Sequence, residues 1–228
     1  MKSLFAAAVC GLCLTGTASA SQVLVNGGFE TGSFSGWTTV SSNGSGGGWF
    51  VDSASVSPLN GFPTVGAFSG SDYAVTDGFG PGTNVLYQSF TDPLGATSAI
   101  LSFDAFVDDD FGGSGFGGEV DLLAGNANPL TGTPIAVFYQ ADTSGTSNPY
   151  AGYSGDISSL MTPGDTYILR AYESDSSGPI NFGVDNFSLN VSTSTPTATP
   201  EPNLLLLAAL AGAFAYRTGR RMVQIQNT

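Results

Sequence analysis

The sequence predicts an all-β chain: an antiparallel β-sandwich of jelly-roll type, flanked by an N-terminal signal-peptide helix and a C-terminal hydrophobic helix. Apolar residues recur with period two, most clearly where Leu86, Gln88 and Phe90 alternate with Tyr87 and Ser89, and again across 100–107. The 32 glycines and 12 prolines interrupt the chain too often for long helices. Strand-like runs fall at 22–26, 36–40, 49–52, 73–76, 86–90, 100–107, 119–123, 135–140, 166–172 and 181–191, most of them bounded by Gly, Pro, Asn or Asp. That many short strands, with enough Phe, Leu, Val and Ile for one core, read as two packed sheets.

The ends read as targeting segments. Lys2, the apolar stretch 4–14 and the small-residue motif Ala18-Ser19-Ala20 make residues 1–20 a signal peptide, cut before Ser21. Cys10 and Cys13 lie inside it, and the residues ahead of Cys13 form no lipobox, so neither a lipid anchor nor a disulfide in the mature chain is expected. Residues 21–191 suit one sandwich domain. Residues 192–199 are Ser, Thr, Pro and Ala alone, which cannot build a core and read as an extended tether.

Beyond the tether stand Pro200-Glu201-Pro202, an apolar run over 203–216, and the cluster Arg217, Arg220 and Arg221. The run is short of the roughly 20 residues of a full span, and the arginines stay on the cytoplasmic side. That geometry holds Pro-Glu-Pro at the outer membrane boundary. In all three parts and their order, residues 200–221 resemble the PEP-CTERM sorting signal of Gram-negative bacteria. The resemblance implies recognition by an exosortase, a transient inner-membrane anchor, cleavage near Glu201, and export to the cell surface or extracellular matrix. A plain C-terminal anchor is the alternative, and the tail 222–228 overruns the usual end of such signals.

Charge bounds the partners and the chemistry. Between 21 and 199 there are 17 acids, all but Glu201, against Arg170 alone, a net of −16. Nucleic acid is excluded, because a phosphate binder needs clustered cations. With no histidine anywhere, and no cysteine or lysine in the mature chain, nucleophile–base dyads and His-ligated zinc sites are excluded too. Only carboxylate-pair hydrolysis stays open. No catalytic residue is assigned, and the chain is read as a non-enzyme.

The domain opens with Val25-Asn26-Gly27-Gly28-Phe29-Glu30 and closes with Phe182-Gly183-Val184-Asp185-Asn186-Phe187. With Tyr87-Gln88-Ser89-Phe90 and Leu101-Ser102-Phe103-Asp104 between them, these segments resemble the galactose-binding-like jelly rolls found among carbohydrate-binding modules. The resemblance implies that the first and last strands meet around a structural calcium. Glu30 and Asp185 would supply carboxylates and carbonyls near Gly28 the remaining oxygens, as a hard cation requires. The alternative is a solvated Glu30 and an Asp185 that caps a turn. A second acidic stretch, 108–119, has the acidic spacing of an EF-hand but glycine at 112 and 115 and strands on both sides, so it reads as a looser cation site or a loop.

Sugar sites in such sandwiches stack an aromatic ring on a pyranose. Trp49, following the Gly-rich 43–48, is expected at an exposed loop tip; Tyr73 and Arg170 are the other glycan-binding candidates, with Asn84, Tyr150 and Tyr153 in apparent loops. Trp37 is expected in the core, and Arg170 is expected either to pair with a carboxylate or to reach a ligand. Three functions follow: a calcium-stabilised polysaccharide-binding module, a purely structural matrix or biofilm component, or a carboxylate-based glycan hydrolase.

Overall fold

The computed structural model describes residues 18–42, 44, 46–108, 117–141, 148–176 and 180–194. Most of the signal peptide, the acidic loop 109–116, residues 195–199 of the expected tether and the whole sorting tail lie outside the described residues; the tether's first three residues, 192–194, instead continue the last strand, because their backbone is paired into the sheet. The described chain forms eleven strands: β1 (Ala18–Gln22), β2 (Thr38–Ser41), β3 (Gly48–Asp52), β4 (Tyr73–Asp77), β5 (Gly82–Thr91), β6 (Ala96–Asp108), β7 (Gly117–Ala124), β8 (Ala136–Gln140), β9 (Asn148–Asp156), β10 (Thr166–Asp175) and β11 (Asn181–Ser194). Every pairing is antiparallel. One sheet runs β3-β4-β11-β6-β9, with β1 also on β11; the other runs β2-β5-β10-β7-β8. This is the expected all-β sandwich.

The period-two pattern fills the core from both sheets. Leu86 and Phe90 of β5, Val120 and Leu122 of β7, and Leu169 and Ala171 of β10 share one apolar cluster with Leu101, Phe103 and Ala105 of β6. Each fully buried large side chain there contributes about 1.5–3 kcal/mol. β11 changes parity midway. Phe182 and Val184 point inward in its first half, Phe187, Leu189 and Val191 in its second. A register shift against β6 between Asp185 and Ser188 accounts for the change, because one extra residue in a strand moves the inward set from even to odd positions. Asp185 and Asn186 sit at that irregularity, with Asn186 in the left-handed region at φ 56°.

Two expected elements are corrected. The first strand is Ala18–Gln22 rather than 22–26. Residues 23–26 leave it to turn, Asn26 taking φ 51°, and Trp37 Nε1 ties the turn down by donating to Val25 O at 3.0 Å. β9 was not expected, since Pro149, Gly152 and Gly155 disguise it. Its place at the sheet edge, paired only with β6, tolerates such residues. β1 also contains the expected cleavage motif: Ala18, Ser19 and Ala20 pair with Ser194, Thr193 and Ser192, so cutting before Ser21 leaves the pairs Ser21–Val191 and Gln22–Asn190.

The two outer faces differ. On the six-stranded sheet, Tyr73, Val75 and Phe106 form a second buried cluster with Ala67 and Tyr150. The loop between β3 and β4 covers it: the Tyr73 hydroxyl bonds Thr64 Oγ1 at 2.7 Å and Ala54 O at 3.0 Å, and the Tyr150 hydroxyl donates to Gly66 O at 2.8 Å. On the five-stranded sheet, cross-strand register puts Thr38, Tyr87 and Arg170 in one outward row. Thr38 and Ser89 are exposed there, and Tyr87 and Tyr172 half-buried.

Candidate functional site

The opening and closing motifs meet as expected. Phe187 N–H donates to Gly27 O at 3.0 Å, and only glycine fits at 27, because a Cβ there would lie 1.8 Å from Phe187 O. Glu30 and Asp185 then grip one loop between them. Asp185 Oδ2 accepts the N–H groups of Phe68 at 3.0 Å and Ser69 at 3.1 Å, while Oδ1 accepts that of Asn186 at 2.7 Å. Both Glu30 oxygens accept from Ser71 N–H at 3.0 and 3.1 Å, and Oε1 also from Asp72 N–H at 3.1 Å. Gly70 lies between, at φ +69°, where a Cβ would come within 2.2 Å of Glu30 Oε1.

Gly28 marks the centre of this junction. A Cβ on it would stand 3.8 Å from both Asp185 Oδ1 and Asn186 Oδ1, and 3.7 Å from Glu30 Cγ. Glycine therefore leaves a space edged by one carboxylate oxygen of Asp185, the amide oxygen of Asn186 and the stem of Glu30. Asn186 is held there by Ser69 Oγ, which donates to its Oδ1 at 2.7 Å, and by its own Nδ2 bond to Asp104 Oδ2 at 3.1 Å. Asp185 is fully buried. Burial pushes its carboxyl up to about 6, against the lowering pull of the Ser69, Asn186 and Phe68 N–H groups, and the Glu30 charge adds to the rise.

Those oxygens fit a hard cation, which takes six to eight oxygen ligands. Among the described residues no three acidic, His or Cys side chains gather around one point. A calcium here would thus complete its shell with Asn186 Oδ1, main-chain carbonyls near Gly28, and water. Of the three residues expected to form the site, Glu30 and Asp185 converge and Gly28 lies between them. Asn186 and the loop 68–72 were missed. Asn186 stands in the quoted Asp-Asn motif, whereas the loop contributes backbone N–H groups, which leave no mark in a sequence.

The three glycan candidates are scattered and buried. Trp49 is not at a loop tip: it lies in β3, 6% exposed, its ring centroid 5.7 Å from that of Phe182. Tyr73 is buried under the β3–β4 loop, and burial pushes its hydroxyl up to about 12. Arg170 faces outward from β10 but is consumed by Asp121. Its Nε donates at 3.0 and 3.2 Å to the two carboxylate oxygens, Nη2 adds a 2.5 Å bond, and Nη1 donates to Pro129 O at 2.7 Å. The loop after β7 thereby folds over the pair, leaving 3% and 0% of the two side chains exposed. Burial raises the Asp121 carboxyl, opposed by the Arg170 bonds and charge. Tyr172 packs against the same guanidinium, 4.8 Å from its ring centroid. Asn84 lies in β5 rather than a loop, Tyr150 and Tyr153 in β9, and Trp37 in the core, against Phe29 and Phe187.

No protein-family model and no curated protein matches the sequence. Solved structures match the fold. The K3 cleaved adhesin domain of the Lys-gingipain of Porphyromonas gingivalis W83 is 15% identical and superposes with a TM-score of 0.50 over 75% of this chain and 99% of its own. TmCBM61, solved with β-1,4-galactotriose, is 17% identical with a TM-score of 0.48 over 74% of this chain and 97% of its own. A Stig cyclase from Fischerella sp. TAU is 15% identical with a TM-score of 0.46 over 78% and 100%. At these identities the likeness concerns the β-sandwich architecture, which carries binding and catalytic functions alike.

Proposed function

We propose that this chain is an exported, non-catalytic polysaccharide-binding module of the cell surface or extracellular matrix, stabilised by calcium at the Glu30–Asp185 junction and sorted through residues 200–221 by an exosortase. The observation that carries the binding reading is the outer face of the five-stranded sheet. Tyr87 and Tyr172 stand there half-exposed, among Thr38, Ser89 and Glu119. The other outer face is roofed by its own loop. Rings and hydroxyls side by side suit a sugar, whose apolar face packs on an aromatic ring while its hydroxyls exchange hydrogen bonds with polar neighbours. The Arg170–Asp121 pair stiffens this surface from beneath and leaves little free charge to select an ionic ligand.

Export and sorting rest on the terminal segments, and non-catalysis on the absence of histidine from the chain and of cysteine and lysine from the mature domain. The calcium reading rests on the oxygen-lined cradle beside Gly28. A second reading, a structural matrix component with no sugar affinity, is favoured by the burial of Trp49 and Tyr73. Affinity electrophoresis of the full-length protein through gels holding neutral and acidic polysaccharides, with calcium present, separates the two. Retardation by at least one glycan, weakened roughly tenfold by Tyr87→Ala or Tyr172→Ala, about 1.4 kcal/mol, supports binding on this face. Free migration through every gel leaves the structural reading. Glu201→Ala should hold the chain in the inner membrane; normal release of that variant would sink the sorting route.

A further inference from the structure

Residues 18–20 carry two roles at once. They are the small-residue motif of the expected signal-peptide cleavage site, and they are the first three residues of β1, in ladder with Ser194, Thr193 and Ser192 of β11. Backbone groups along a strand alternate between its two sides. Leu189 O accepts Val23 N–H at 2.9 Å, whereas Ser194 N–H turns the other way, to Gly95 O at 3.0 Å. Val191 and Thr193 therefore face β1, and their partners there are Ser21 and Ser19, one on each side of Ala20. Gln22 locks the end of this ladder with its side chain, Oε1 accepting Leu189 N–H at 2.7 Å and Nε2 donating to Ser188 Oγ at 2.9 Å. The side chains of Ser19, Ala20 and Ser21 stay exposed, so what conceals the motif is the pairing of its backbone.

A protease that docks its substrate as an extended strand needs the main-chain groups of that strand for itself. A bond held in a ladder is therefore cut only through a locally opened state. Peeling β1 far enough to free the Ala20–Ser21 bond breaks the Ser19–Thr193 and Ser21–Val191 pairs together. The partner strand is also the last to be made, since Leu189 follows Gln22 by 167 positions. At about 5–20 residues per second, roughly 10–30 s of synthesis pass before the ladder can close. Once closed, β11 is seated on β6 as well, from Asn190 on Ile100 to Thr193 on Ala96.

We propose that the Ala20–Ser21 bond is a processing site gated by the fold: a signal peptidase cuts it only until β11 closes on β1, and a chain that folds first keeps its N-terminal segment. The gate rests on the export reading of residues 1–20, and it requires the chain to cross the membrane unfolded. Order of addition tests it. The full-length chain is synthesised in a cell-free system with detergent-solubilised signal peptidase, either present from the start or added after synthesis and folding, and mass spectrometry locates the cut. Early enzyme is expected to release residues 1–20, and late enzyme to cut at least tenfold more slowly. Thr193→Pro removes an N–H that β11 turns toward β1 and none that it turns toward β6. With wild-type circular dichroism, it should speed late cutting several-fold. Equal cutting at both times, or late resistance that a normally folded Thr193→Pro chain retains in full, overturns the gate. No cut before Ser21 in either order sinks the signal-peptide reading itself, and the gate with it.

Discussion

β10 carries two buried acidic environments on its opposite faces, and the fold answers them differently. Outward, Asp121 receives the guanidinium of Arg170, four hydrogen bonds in all counting the one to Pro129 O. Inward, Glu173 receives the side-chain N–H of Asn84, and Asp175 the N–H of Gly80. The lesson is one of supply. A domain with 17 acids and a single base can neutralise one buried carboxylate internally, and it surrounds others with neutral N–H donors. Asp77 shows the all-neutral solution: it is buried on the N–H groups of Leu59 and Asn60 and the Asn60 side-chain amide.

The largest way to break this comparison is to remove the internal cation's partner. Asp121→Ala strands a buried guanidinium and should cost about 3–5 kcal/mol in urea unfolding, equally with calcium and with chelator. The double change Arg170→Met with Asp121→Leu should recover most of it. A loss under about 1 kcal/mol for Asp121→Ala would mean that the pair is solvated and the contrast false. Next comes the ion. Calcium at a hundred times its dissociation constant should stabilise by about 2.7 kcal/mol, raising the unfolding midpoint by several degrees, and Asp185→Asn should remove that gain. An identical midpoint in calcium and chelator would refute the Glu30–Asp185 site.

In chelator the same acids must respond to pH. Burial pushes the Glu173 carboxyl up to about 7, against the Asn84 hydrogen bond and with the Asp175 charge adding, and Asp185 stands at about 6. Folded protein therefore holds protons that the unfolded chain releases near pH 4, so stability falls as pH rises from about 4 to about 7. The slope reaches about 1.4 kcal/mol per pH unit for each proton in play. Glu173→Gln should abolish the slope between about 6 and 7 and roughly halve it between about 4.5 and 6, where the Asp185 proton still contributes. A rise in stability across that range would show that these groups are ionised and compensated. The smallest effect falls on the junction loop. Gly70→Ala, at positive φ and against Glu30, should cost about 1 kcal/mol and weaken calcium binding, whereas Gly61→Ala, also at positive φ but with open space around it, should cost stability alone.

Sequence patterning made the sandwich legible because β5 and the first part of β6 alternate strictly enough to declare which side is core. The pairing of Glu30 with Asp185 came from a resemblance instead, since both acids lie in short, recognisable segments at the two ends of the domain. Trp49 was misread because Gly46–Gly48 resembles a loop tip. Gly46 and Gly47 answer instead to the backbone of residues 77–79, which passes too close for any side chain. The inward Asn84–Glu173 pair was illegible for a related reason. Asn84 and Glu173 are 89 positions apart, and only the β5–β10 register brings them together. Tyr87 and Tyr172, by contrast, follow from parity once Leu86 and Ala171 are assigned to the core.

The position of β11 has a mechanical consequence. Its first half lies between β4 and β6, and Asn190 and Val191 lie between β6 and the part of β1 that outlasts cleavage before Ser21, so all but the last three residues of the strand lie inside the sheet. A load arriving from the C-terminal side peels residues 192–194 from β6 alone, and there it stops at Val191. From there it must tear two ladders together, which suits a domain held by that end while its broad face grips a polymer.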